Sequence, residues 1–145
     1  MRTTEVLLVD DNPADTDLTS EVLSRNGRPS RIHSVINGVE AVAFLRREGK
    51  YAHEILPDFV ILDLNLPGKD GRAVLAEVKG DQLLRKIPIA IFSTSEAQQD
   101  IMRSYELGAN CYVSKPGNLR DFISAVTSIA EFWFGLARLP REEKP

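Results

Sequence analysis

Apolar positions along the chain fall into two kinds of run that alternate from one end to the other. Strand-length stretches occur at "EVLLV" (5–9), "RIHSV" (31–35), "DFVILDL" (58–64), "IPIAIF" (87–92) and "NCYVS" (110–114). Between and after them, apolar residues return at helical spacing: Leu18 and Val22; Val39, Val42 and Leu45; Val74, Leu75 and Val78; Ile101 and Tyr105; and a long last segment through Leu119, Phe122, Ile123, Val126, Ile129, Ala130 and Trp133. The pattern predicts five βα units. "VLLV", "FVIL" and "IAIF" have no polar face, so both sides of these strands need covering, which a parallel sheet with helices on both faces provides. The expected fold class is therefore α/β, a doubly wound five-stranded parallel sheet.

Turn residues punctuate the same map. Asn12-Pro13 can start the first helix, Gly27 and Gly49 can end helices, and Pro67-Gly68 with Asp70-Gly71 marks a tight loop after the third strand. With 145 residues, 43% hydrophobic and 27% charged, one core is expected. We place a single domain over 1–137 and a tail over 138–145, where "PREEKP" has no apolar content and reads as disordered.

Charge and cysteine content narrow the function classes. The net charge is -3 and no block of Lys or Arg is long enough to track a nucleic-acid backbone, which argues against direct nucleic-acid binding. Cys111 stands alone, so it forms no disulfide within the chain, and in "NCYV" it reads as a small buried hydrophobe. His33 and His53 have no companion at metal-ligand spacing. No apolar run is long enough to span a bilayer and no signal-peptide pattern opens the chain, so a cytoplasmic protein without membrane contact is expected.

The chemistry collects at the carboxyl ends of the strands, where open parallel α/β sheets bind ligands. Strand one ends at Asp10 and Asp11, strand three at Asp63, strand four at Ser93 and Thr94, and strand five at Ser114 and Lys115. Alternation alone does not fix the strand order, but in the flavodoxin-like order 2-1-3-4-5 strands one and three are neighbours and their carboxylates share a pocket. Such carboxylates repel by about 1 kcal/mol per pair in water at ~4 Å, and more near a protein surface. Oxygen donors without histidine or cysteine suit Mg²⁺. Capping of the first helix by Asp11 or Asn12 accounts for one polar residue and not for two acids plus Asp63. A carboxylate beside Mg²⁺ can attack phosphorus to give an aspartyl phosphate, with Lys115, as a mobile ammonium, and the Ser93 hydroxyl meeting the phosphoryl oxygens.

"VDDNP", "DFVILDLNLPGKDG", "PIAIFSTS" and "CYVSKP" together resemble the receiver domain of two-component response regulators, over nearly the whole chain. The resemblance implies phosphotransfer from a phosphohistidine of a sensor histidine kinase to Asp63. It makes Asp11 a direct Mg²⁺ ligand, Asp10 mainly a water-mediated one, and Asn65 the position whose backbone carbonyl completes the metal shell. Ser93 matches the switch hydroxyl, five residues after the proline opening strand four. Tyr112 matches the switch aromatic, whose ring moves inward when the hydroxyl turns to the phosphate. Lys115-Pro116 matches a bond usually cis in the family. The connection "REGKYAHEILPDF", the approach "DQLLRKIPI" and the ending "IAEFWFGLARLP" are most similar to free-standing regulators that partner cyanobacterial and other bacterial phytochromes.

No basic output domain follows in this sequence, so the signal is expected to leave through protein contacts or a change of oligomeric state. Phe132, Trp133 and Phe134 are consecutive and span too wide an arc for one core, which marks them as candidates for a homodimer interface, a role the resemblance also implies for the last helix. The competing reading is that one or two of these rings pack on the protein's own sheet. On this view the protein is not an enzyme but a phosphoacceptor that catalyses only its own phosphotransfer and dephosphorylation. A haloacid-dehalogenase-like hydrolase would need its second acid two positions after the first, where Asn12 stands. The alternative function, a phosphorylation-independent interaction module on the same fold, would be expected to lose an acid, the hydroxyl or the lysine, and none is missing.

Overall fold

A computed structural model describes residues 2–141. Its elements are β1 (Thr4–Val9), α1 (Pro13–Ser24), β2 (Ser30–Val35), α2 (Gly38–Leu45), β3 (Phe59–Leu62), α3 (Gly71–Lys79), β4 (Ile89–Ser93), α4 (Gln98–Glu106), β5 (Cys111–Ser114) and α5 (Leu119–Ala130). A 3₁₀ turn covers Gly49–Tyr51 and a π-helical turn covers Glu131–Leu136. The strands form one parallel sheet in the order β2-β1-β3-β4-β5, so β1 and β3 are neighbours.

The strands are apolar throughout because successive side chains serve two different cores. Leu7, Val9, Val60, Leu62, Ile89 and Ile91 point to one face, where α2 and α3 contribute Val42, Leu45, Val74 and Leu75. Val6, Leu8, Phe59, Ile61, Ala90 and Phe92 point to the other, covered by Leu23 of α1 and by Phe122, Val126 and Ile129 of α5. The edge strands β2 and β5 are only partly buried. Helix starts follow local chemistry: side-chain oxygens of Asn12, Asn37, Asp70 and Asn118 accept backbone N–H bonds three residues on, at 2.8–3.1 Å.

Three local expectations change. Helix α2 is closed by Arg47 in the left-handed region (φ 55°), its N–H bonded to the Phe44 carbonyl, while Gly49 opens the next turn. On α5 the buried set Phe122, Val126, Ile129 and Ala130 already fills one helical stripe, leaving Leu119 and Ile123 exposed. The disorder expected for 140–145 does not extend to Arg141, whose guanidinium donates to Thr4 Oγ1 at 2.7 Å and faces Asp58 Oδ1 at 3.7 Å. Residues 142–145 lie outside the described residues. Among those described, no helix is long and apolar enough to cross a membrane.

The aromatic triplet divides. Trp133 stacks on Phe59 at 4.9 Å between ring centroids and Phe134 meets the same ring edge-on at 6.2 Å, while Phe132 stays 48% exposed. Two of the three rings therefore extend the protein's own core.

Candidate functional site

Register builds the site. Val9 pairs with Leu62, so the next residues, Asp10 and Asp63, leave the sheet side by side, and the Asp63 N–H continues the ladder to the Val9 carbonyl at 2.9 Å. Both are nearly buried, whereas Asp11 is on the exposed rim. One carboxylate oxygen from each of Asp10, Asp11 and Asp63 lies within 4.8 Å of the others. Backbone amides fix two of them: Asn12 N–H donates to Asp10 Oδ1 at 2.9 Å and Asn65 N–H to Asp63 Oδ1 at 3.3 Å. The Asn65 side chain itself is exposed.

Lys115 is paired on three sides. Its Nζ donates to Asp10 Oδ2 at 2.8 Å, Asp15 Oδ2 at 2.9 Å and Asp63 Oδ2 at 3.0 Å, and lies 5.9 Å from the Phe92 ring centroid. With the side chain only 3% exposed, an unpaired ammonium here would be prohibitively costly, so the carboxylates hold it in place. Burial favours the neutral amine, but the bonds to Asp10 and Asp15 and the charges of Asp63 and Asp10 outweigh it and raise the Lys115 pKa. Burial also lifts Asp10 above the usual carboxylate range; Lys115 and the Asn12 amide offset this only in part, and the charge of Asp63 adds to it.

Asp15 was absent from the candidate residues. Its only local signal is an acid in the first turn of α1, a position that ordinarily reads as interaction with the helix dipole. The cluster remains electronegative, since one ammonium faces the carboxylates of Asp10, Asp11, Asp15 and Asp63. Its oxygen-only donor set fits a hard divalent cation such as Mg²⁺, which Asp10, Asp11 and Asp63 are placed to hold.

The sequence pattern described as the response regulator receiver domain matches residues 6–127. The chain belongs to this family. Response regulator Rcp1 of Synechocystis sp. is 42% identical over 135 residues, spanning 93% of this chain and 92% of Rcp1. Among solved structures, the phosphorylated cyanobacterial phytochrome response regulator RcpA superposes with a TM-score of 0.94 at 46% identity, covering 97% of this chain and 100% of RcpA. The Mn²⁺-bound form of Rcp1 gives 0.93 at 40% identity, covering 95% and 99%.

In this receiver domain Ser93 is fully buried at the end of β4, whereas Thr94 is exposed. The Ser93 carbonyl accepts from Lys115 N–H at 2.7 Å, and its Oγ accepts from Ser95 N–H at 3.4 Å. Ser95 then joins several elements. Its carbonyl accepts the Tyr112 hydroxyl at 2.9 Å, and its own hydroxyl donates at 2.6 Å to Asp100 of α4, which Arg72 of α3 meets at 2.7 Å. The Ser95 hydroxyl and the Arg72 guanidinium hold the Asp100 carboxyl below its usual range. The Arg72–Asp100–Ser95 chain escaped the sequence reading because its members come from three separate segments. Lys115-Pro116 is trans, as is every described peptide bond, in contrast to the expected cis isomer; trans is the lower-energy form even before proline.

Proposed function

We propose that this receiver domain accepts a phosphoryl group on Asp63 from a phosphohistidine of a sensor histidine kinase. The carrying observation is that Asp63 shares one strand-end pocket with the Lys115 ammonium and the oxygens of Asp10 and Asp11. An Asp63 oxygen attacks phosphorus, the P–N bond to the donor imidazole breaks, and its electron pair stays on the ring nitrogen. Asp10, Asp11, Asp63 and the Asn65 carbonyl would hold Mg²⁺, which would supply positive charge to the phosphoryl oxygens. Lys115 pairs with a further phosphoryl oxygen and the Ser93 hydroxyl donates to another, a turn relayed to Tyr112 through Ser95. Similarity to Rcp1 and RcpA supports a phytochrome as the kinase. The product is a signalling state of the protein rather than a released compound.

Incubation with acetyl phosphate and Mg²⁺, read by intact mass, should give a single phosphoryl adduct that is lost in Asp63→Asn and in EDTA. Absence of the adduct from folded wild type, with both acetyl phosphate and a phosphorylated kinase as donors, would refute the assignment.

For output we propose a C₂ homodimer through the β4-to-α5 face and the C-terminal aromatic segment. Strand β5 lies at the edge of the sheet, and between it and α5 runs a groove of about 460 Å³ lined by Cys111, Val113, Ala125, Ile129, Phe132 and Trp133. Phe132 carries the exposed part of this surface, while Trp133 and Phe134 support it from the Phe59 side. Light scattering at micromolar protein should give twice the chain mass, and Phe132→Glu should halve it. A monomeric wild type under those conditions would contradict the dimer.

A further inference from the structure

An ammonium has three N–H bonds to give, and Lys115 has given all three, to Asp10, Asp15 and Asp63. Phosphorylation of Asp63, which rests on the function proposed above, turns its carboxylate into an acyl phosphate and passes that N–H bond to a phosphoryl oxygen; a second N–H can reach the more highly charged phosphoryl group only if another acceptor leaves. The three differ in how readily they can. The Asp10 side chain is 3% exposed and is held a second time by the Asn12 amide. Asp63 is 10% exposed and is the group that would carry the phosphoryl itself. The Asp15 side chain is 27% exposed and stands in the first turn of α1, at the rim of the pocket. Turning it out to water solvates its own carboxylate and leaves Lys115 still paired with buried groups, so it is the acceptor released at least cost.

We propose that Asp15 is a placeholder for the phosphoryl oxygen, occupying Lys115 in the unphosphorylated domain and ceding it when Asp63 is phosphorylated. Its carboxylate competes with the incoming group for the same N–H bond and sets one more negative charge at the mouth through which an anionic donor approaches. Removing the charge from Asp15 should therefore favour the phosphorylated state. Asp17 provides the comparison, because it lies on the same helix with the same charge but is exposed, and Lys115 makes its ion pairs with Asp10, Asp15 and Asp63. A merely structural first-turn acid would, on removal, lower the melting temperature through the helix dipole and leave phosphoryl acceptance as it was.

The test uses the full chain as Asp15→Asn, Asp15→Ala and Asp17→Asn. Calorimetry would measure the affinity for beryllium trifluoride with Mg²⁺, a phosphoryl mimic, and intact mass would follow the rate of incorporation from acetyl phosphate. Both Asp15 variants should bind the mimic about fivefold tighter and incorporate phosphoryl about fivefold faster than wild type, a coupling of ordinary size, with Asp17→Asn within about twofold of wild type. Asp15 and Asp17 variants that behave alike, in a wild type that does take up phosphoryl, would overturn the placeholder alone. Weaker Mg²⁺ binding together with slower incorporation in Asp15→Asn would overturn it too, by assigning Asp15 to the metal. A wild type that takes up neither phosphoryl nor the mimic would remove the receiver function and this inference together.

Discussion

Lys115→Met should lose about 3–5 kcal/mol of folding stability at neutral pH without divalent cations, measured by urea unfolding. The variant keeps an unbranched apolar side chain of similar length but leaves Asp10 and Asp63, both nearly buried, facing each other and Asp15 with no cation between them. Breaking a buried pair by removing one partner costs this much because the remaining charge is stranded, whereas a surface pair would cost under about 1 kcal/mol. A loss in that smaller range would show that the cluster is solvated.

The pH dependence has a definite sign. Lys115 has a raised pKa in the folded protein, so its contribution is complete below the ordinary lysine value of 10.5 and is lost only as pH rises through the folded value. Wild type thus keeps it across neutral pH. In Lys115→Met the Asp10 carboxyl, already raised by burial, also loses the ammonium that offsets it and binds a proton more readily folded than unfolded, so the variant's stability rises as pH falls below neutral and the gap to wild type narrows. Millimolar Mg²⁺ should narrow it at pH 7 as well, since a cation bound only by the folded state stabilises it.

Gly71→Ala should destabilise the domain by about 2–3 kcal/mol and slow phosphoryl incorporation by about tenfold, as measured by urea unfolding and intact mass. Gly71 is the first residue of α3, and its N–H bonds the Leu64 carbonyl at 2.8 Å. A Cβ there would press on the Asp63 carbonyl oxygen and sit 2.7 Å from Leu64 Cα. Neither neighbour is a flexible side chain, so relief requires moving the backbone that positions Asp63. Gly117→Ala is the control: nothing lies within 4 Å of its Cβ position, and its stability should stay within about 0.5 kcal/mol of wild type. Equal behaviour of the two variants would show that α3 docking does not constrain Asp63.

Much of the site was legible because each polar residue directly ends an apolar strand. "VLLVDD", "VILD" and "IAIFS" carry that boundary in their covalent order, and the alternation with helical segments identifies the chain as α/β without reference to any distant residue. The adjacency of β1 and β3, by contrast, was a supposition until the sheet order placed Asp10 beside Asp63. The pairing of Lys115 is hidden for a related reason: sequence shows a lysine at a strand end but not the three carboxylates around it. The Phe132-Trp133-Phe134 run illustrates the same limit, since only the position of Phe59 decides which rings turn inward.

Sequence by itself determined the fold class, the start of the first helix at Asn12-Pro13, and the residue types delivered to the carboxyl edge of the sheet. These follow from side-chain periodicity and hydrogen bonds spanning a few residues. Only the tertiary structure decided that Lys115 would meet Asp15 across 100 positions of chain, and that Arg72, Asp100 and Ser95 would join beside Tyr112. The physical reason is that a buried ammonium takes whichever carboxylates packing brings within 3 Å, and packing is a property of the whole sheet and its helices rather than of any segment.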